Sequence, residues 1–349
     1  MTSETQQGGD HAFADAGDAH SRVAVVIPCY KVRDRIVELL RAIGPEVDAI
    51  YCVDDCCPEN SGKAVEDAVD GDSRVRVLYR EENGGVGAAT VTGYVQAIAD
   101  GARIVIKMDG DGQMDPRLIP ELIRPILAGE ADYVKCNRFF SAETVSGMPW
   151  IRLLGNGGLS FITKLSTGYW DLFDPTNGYT ALEASVAGEI PLDKLHPRYF
   201  FESDMLFRLG ILRARVVELP AMAVYENESS GLSTLRALVV FPFLHLRSLS
   251  KRIVYNYFLR NFSIASLNLV VGLVGVAFGS GFGSMQWRHT LMTGEPATAG
   301  TVMLAALPVI LGVQLLLSFL NYDITMVPRE ALHPRLSRVR VLGSSDAQR

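Results

Sequence analysis

Two aspartates one residue apart, Asp109 and Asp111, followed by Gln113, form the run best suited to chemistry in this 349-residue chain. In extended chain, side chains two apart point to the same side, so the two carboxylates can share a hard divalent cation, Mg²⁺ or Mn²⁺. A cation held by so few carboxylates keeps positions open for phosphate oxygens. An Asp-Gly-Asp-Gly run also suits a solvated turn. What favours a site is its place after an apolar run (residues 103–109), with a second carboxylate pair, Asp54-Asp55, after another (residues 49–54). Asn83-Gly84-Gly85-Val86-Gly87 opens a helix and can offer backbone N–H groups to a phosphate, or serve simply as a tight strand-to-helix turn.

The elements that must position these residues alternate. Apolar runs at residues 23–28, 49–54, 75–79, 103–109 and 133–135 read as strands. Helical spacing at 34–43, 62–69, 87–100 and 116–128 falls between them. Such alternation predicts an α/β fold: a Rossmann-like, mostly parallel sheet with helices on both faces. Ligands of such sheets sit at the carboxyl ends of the strands, where Pro28-Cys29-Tyr30, Asp54-Asp55 and Asp109–Gln113 lie.

The rear of the chain has a different character. Residues 262–285 and 297–322 contain no charged residue, and each is long enough for a transmembrane helix across a hydrocarbon core of about 30 Å. The connection at 286–296 predicts a tight hairpin. Before it, residues 233–260 mix Leu, Val, Phe and Tyr with five Lys and Arg and no acid, as interfacial amphipathic helices do, with a break expected at Pro242. Arg247, Lys251, Arg252 and Arg260 precede the first span, Arg329, Arg335, Arg338 and Arg340 follow the second, and the loop carries only Arg288. The positive-inside rule then puts both termini and the front domain in the cytoplasm, as in a multi-pass inner (plasma) membrane protein.

Charge follows the same division. Residues 1–228 hold 35 acids and 22 bases, and residues 229–349 hold 4 acids and 11 bases. An acidic front with a basic, oily rear predicts a membrane surface as partner, and no nucleic acid. Residues 1–21 read as a disordered tail without an apolar leader, and five unevenly spaced cysteines suit a reduced compartment. The expected organisation is the tail at 1–21, a catalytic domain at 22–232, interfacial helices at 233–260, a two-helix hairpin at 261–323 and a basic tail at 324–349.

Pro28-Cys29-Tyr30, Asp54-Asp55, the Asn83 helix start and Asp109-Gly-Asp-Gly-Gln, taken in order, resemble the GT-A domain of glycosyltransferase family 2. The likeness continues through Lys135–Phe139, Asp174–Tyr179 and Phe201-Glu202-Ser203-Asp204. With the two spans added, the chain resembles the polyprenyl-phosphate glycosyltransferases, the dolichol-phosphate mannose synthase-like enzymes among them. That resemblance implies transfer of a hexose from a nucleotide-sugar to a polyprenyl phosphate, with Mg²⁺ or Mn²⁺ as cofactor, and leaves room for an assembly of identical chains. It implies that Pro28, Tyr30, Asp54 and Asp55 hold the nucleotide, and that Asp109, Asp111 and Gln113 serve the metal and diphosphate. Arg138 and Arg152 would meet phosphate oxygens. Were the acceptor a hydroxyl, Glu202 or Asp204 would be the general base, and Asp204 is the one counted with the catalytic residues. The chain departs from many synthases in having no arginine along residues 224–233, and from the processive polymer synthases in lacking Gln-x-x-Arg-Trp.

Overall fold

The computed structural model describes residues 22–69, 71–140, 150–221 and 234–346, with backbone alone at 150–154, 234–239 and 340–346. The tail at 1–21 and the stretch at 224–233 lie outside the described residues. Seven strands form one sheet: β1 Val23–Cys29, β2 Ala49–Asp54, β3 Val75–Tyr79, β4 Ile104–Lys107, β5 Tyr133–Asn137, β6 Thr180–Glu183 and β7 Val216–Pro220. Their order is β3-β2-β1-β4-β6-β5-β7. β6 runs antiparallel between β4 and β5, and the other pairs are parallel.

Side chains alternate across the strands, so consecutive apolar residues feed two cores. Val25, Ile27, Ile50, Ile104 and Ile106 pack with Ile36, Leu39 and Leu40 of α1 (Arg33–Ala42), Val65 of α2 (Ser61–Ala68) and Leu122 of α4 (Ile119–Leu127). Val26, Tyr51, Val53 and Val105 pack with Tyr94 of α3 (Val86–Ala99) and Met205 and Leu209 of α6 (Phe201–Leu212). Each buried Ile or Val contributes on the order of 1.5–3 kcal/mol. The sheet is thereby fixed firmly enough to hold loops in register at its carboxyl edge.

α5 (Trp150–Thr167) carries α7 (Thr234–Val254) on its side, with Ser166 Oγ 2.8 Å from Nδ1 of buried His245. Burial pushes the His245 pKa down to about 4, so the ring is neutral. The break expected at Pro242 does not occur: α7 runs through it, clamped to α5 just beyond. Opposite this buried side α7 exposes Phe243 and Leu246. A π-helical turn, Tyr255–Arg260, then leads to α8 (Ile264–Thr293) and α9 (Ala299–Thr325). Both helices are long and apolar enough to cross a membrane. The expected connection at 286–296 is shorter, because α8 continues to Thr293 and only residues 294–298 separate the helices. α8 and α9 approach until a Cβ built on Gly272 would lie 3.0 Å from the Gly312 carbonyl oxygen, and one on Gly312 2.8 Å from that of Gly272. Small residues at this crossing permit that contact.

After α9 the chain returns to the sheet. The Asp132 carboxylate accepts hydrogen bonds from the Leu332, His333 and Arg215 backbone N–H groups and lies 2.8 Å from His333 Nδ1. α10 (His333–Asp346) follows.

Candidate active site

β1, β2 and β3 end in register, Cys29 beside Asp54 and Asp54 beside Tyr79, which sets the loops after them side by side. Tyr30 is exposed and Pro28 half-buried at this edge, and Lys31 turns the chain with φ +60°. Two cross-links brace the turn: the Lys31 amide donates to Cys57 Sγ and the Val32 amide to Ser61 Oγ. Asp54 and Asp55 stand in the same place but are 4% and 2% exposed. Asp54 accepts the amides of Cys57 and Gly62, both at 2.7 Å. Asp55 accepts Arg80 Nε at 2.9 Å and the amides of Gly84 and Gly85 at 3.0 and 2.7 Å. Both carboxylates therefore shape the edge through backbone bonds, and the Gly84 and Gly85 N–H groups, readable as phosphate donors, are given to Asp55.

Asp109 lies two residues past the end of β4, and Asp109 and Asp111 are both half-buried. Asp111 Oδ1 accepts the Gln113 amide at 3.0 Å across Gly112, whose φ of +76° makes the turn. Asp109 Oδ1 accepts Lys107 Nζ at 2.7 Å. The donor set is two carboxylates and one amide oxygen, all hard and partly open, which fits a small divalent cation. Among the described residues no group of three His, Cys, Asp or Glu is arranged to hold a metal by itself, so a cation here would complete its shell with substrate oxygens and water.

Lys107 belongs to none of the sequence motifs above, yet it stands at the centre of this edge. It is 1% exposed at the end of β4, and its ammonium bridges Asp109 Oδ1 at 2.7 Å and Glu202 Oε1 at 3.2 Å. Burial opposes its charge, yet the Asp109 and Glu202 carboxylates outweigh that and hold its pKa above the ordinary lysine value. Glu202 is thus brought beside the Asp109 loop. Asp204 is two residues further along α6, about 200° around the helix. It accepts the His196 amide at 2.9 Å and Arg208 Nη2 at 3.2 Å, which braces the loop before α6 rather than facing Asp109.

Arg138 lies just past β5. Its Nε and Nη2 donate to the two oxygens of fully buried Asp174 at 2.8 and 3.0 Å, and Nη2 also to Thr176 Oγ1 at 3.2 Å. Burial opposes ionisation of Asp174, but the Arg138 hydrogen bond and charge more than offset it and hold the carboxyl below its usual range. Lys135 donates to the Asp174 and Asn177 carbonyls, and Glu218 accepts the Phe173 and Asp174 amides and Asn137 Nδ2. The loop after α5 is therefore fastened to β5 and β7, with Arg138 pre-oriented on it and one third exposed. Arg152 belongs to the first turn of α5, and its side chain lies outside the described residues. Lys107 and Lys135 both stand opposite Thr180, so β6 sets the two lysines in one row. Each is a lysine inside an apolar strand, which was the signal available in the sequence.

Residues 24–190 match the family model described as glycosyl transferase family 2. An undecaprenyl-phosphate mannosyltransferase of Micrococcus luteus is 30% identical over 218 residues, covering 60% of this chain and 88% of that protein. A UDP-N-acetylglucosamine–dolichyl-phosphate N-acetylglucosaminyltransferase of Methanococcus voltae is 28% identical, covering 62% and 91%. Among solved structures, glucosyl-3-phosphoglycerate synthase from Mycobacterium tuberculosis in complex with Mn²⁺, uridine diphosphate and phosphoglyceric acid superposes with a TM-score of 0.50. It is 19% identical and covers 67% of this chain and 79% of its own, a likeness of fold.

Proposed function

This chain belongs to glycosyl transferase family 2, and from that premise we propose that it moves one hexose from a UDP- or GDP-hexose to a polyprenyl phosphate at the cytoplasmic leaflet, inverting the anomeric centre. The observation that carries this reading is the direct bonding of the site-bearing domain to the apolar hairpin. Asp323, at the end of α9, accepts Arg252 Nη1 and Nη2 at 2.7 and 2.9 Å and Trp170 Nε1 at 2.9 Å. A sugar-transfer site fastened to two membrane-length helices serves an acceptor that lives in the bilayer. The names of the two relatives, which act on undecaprenyl and dolichyl phosphates, support the same acceptor class.

A lipid phosphate is anionic at neutral pH and is its own nucleophile. One of its oxygens forms a bond to the anomeric carbon as the carbon–oxygen bond to the nucleotide diphosphate breaks, the electron pair leaving with the diphosphate. The protein's task is to align the two and to stabilise the departing charge. Asp109, Asp111 and Gln113 would hold Mg²⁺ or Mn²⁺, which when bound neutralises the diphosphate. Lys107 holds the Asp109 carboxylate in place through its ammonium. Tyr30 and the turn at Pro28 border the nucleotide, and Asp54 and Asp55 act by shaping that border. Arg138, aligned by Asp174, offers a planar donor to phosphate oxygens.

A hydroxyl acceptor would instead need a base, and the acid brought beside Asp109, Glu202, is already committed to the Lys107 ammonium. That pairing favours an acceptor that arrives deprotonated. The test is to incubate the purified chain with a panel of sugar nucleotides and undecaprenyl phosphate, with Mg²⁺ or Mn²⁺, and identify lipid products by mass spectrometry. A single glycosyl-phosphoryl lipid is the expected product; no lipid product with any donor would refute the proposal.

A further inference from the structure

Outside the site just described, a cavity of about 70 Å³ opens where α5, α6, the π-helical turn and the end of α9 meet. It holds about two waters' worth of space, enough for a phosphate group and too little for a sugar nucleotide. Arg213, Arg252 and Arg260 line it, with Asn256, Tyr322 and Asp323. Asp323 is a lone carboxylate against the three guanidinium groups of this lining, and Arg252 takes it up. Arg213 and Arg260 donate to the Met326 and Ile211 carbonyls, which accept a hydrogen bond without cancelling a charge. Arg252 is 3% exposed, and its Nε has no hydrogen-bond partner among the described residues; nor has Asn256 Oδ1, one end of an amide that can rotate. A buried guanidinium N–H left open costs stability unless something accepts it.

The excess positive charge of this lining asks for an anion, and the surroundings say where it comes from. The cavity wall includes the last turn of α9 and Asn261, just before α8. Leu259, Phe262 and Ile264 next to it are 74%, 71% and 67% exposed, an apolar rim beside cations. Basic pockets flanked by exposed apolar side chains at the end of a membrane helix suit lipid headgroups. We propose that this cavity binds the phosphate of an anionic bilayer phospholipid, at a place separate from both donor and acceptor. The bound headgroup would join the C-terminal end of α6 in the catalytic domain, through Arg213, to α7 and the π-helical turn, through Arg252 and Arg260.

The experiment reads binding, so it does not depend on sugar transfer. Full-length protein in neutral detergent micelles is titrated with phosphatidylglycerol, phosphatidylcholine or inorganic phosphate, following the thermal unfolding midpoint and the lipid retained in native mass spectrometry. Phosphatidylglycerol should raise the midpoint and be retained, while phosphatidylcholine and inorganic phosphate should do neither. Arg260→Gln, at an exposed position bonded to one carbonyl, should unfold like wild type without lipid and bind phosphatidylglycerol about tenfold more weakly. Arg213→Gln should behave alike. Equal response to phosphatidylcholine, a response to inorganic phosphate matching that to phosphatidylglycerol, or unweakened binding in both variants would overturn the proposal.

Discussion

Replacing Asp111 by Asn removes one carboxylate charge from the metal-capable pair while keeping the shape and the acceptor of the Gln113 amide. Turnover should fall on the order of 10²-fold or more at saturating Mg²⁺ or Mn²⁺, with an unchanged unfolding midpoint. Activity within a few-fold of wild type would remove the assignment. Lys107→Met tests a different role, since it leaves Asp109 and Glu202 without the buried ammonium between them. Stripping the partner from a buried pair costs about 3–5 kcal/mol. The thermal midpoint should drop and kcat should fall more than the donor KM rises, both measured on the same preparation; an unaltered midpoint and kcat would contradict the bridge. The Asp109–Gln113 run stood out in the sequence because neighbours along the chain carry the whole pattern. Lys107 did not, because its partner Glu202 is 95 positions away and only α6, packed over the sheet, brings it back.

Between strands, the loop at residues 173–178 depends on a buried carboxylate. The Asp174 carboxyl is held below its ordinary value of 3.8, so its ionised form is favoured by folding. Its contribution is therefore complete above about pH 4 and is lost as pH falls through the lower folded value. Asp132, held low by the His333 bond against the pull of burial, titrates in the same direction. Thermal unfolding of Asp174→Asn should show a lower midpoint at pH 7 and a shallower loss of stability below pH 4, with Asp132 and the other carboxyls held low, Asp72, Asp100 and Asp115, supplying the remaining slope. A slope identical to wild type would contradict the Arg138–Asp174 account. The parallel strands β1 to β5 were readable because each is an apolar run between helical segments. β6 and β7 were not: Thr180–Glu183 is four residues long, and Val216–Pro220 ends in a glutamate and a proline. Leu219 stands between that glutamate and proline, and the place of both strands is decided by pairing to strands far away in sequence. The hairpin was readable from charge depletion alone, whereas its true turn was not, because Gln286 to Thr293 are polar enough to pass for a loop and yet extend α8.

At the scale of the whole molecule, the domain is fastened to the hairpin on two sides, through Asp323 with Arg252 and through Asp132 with the segment after α9. In the proposed membrane arrangement, such a double attachment puts the site on the side of both hairpin ends. With basic residues on both flanks, residues 294–298 should face away from the cytoplasm. A cysteine placed in that turn, in a chain whose native cysteines are replaced, should react with an impermeant maleimide added to intact cells, and one at Arg349 should not; the reverse pattern would refute the orientation. In the proposed mechanism the acceptor arrives as an anion. The most direct measurement compares product formed from undecaprenyl phosphate and from undecaprenol, with the same donor and metal, across pH 6 to 9. Product is expected from the phosphate alone. Equal or better use of the alcohol, with activity collapsing in Asp204→Asn or Glu202→Gln and recovering as pH rises, would contradict it.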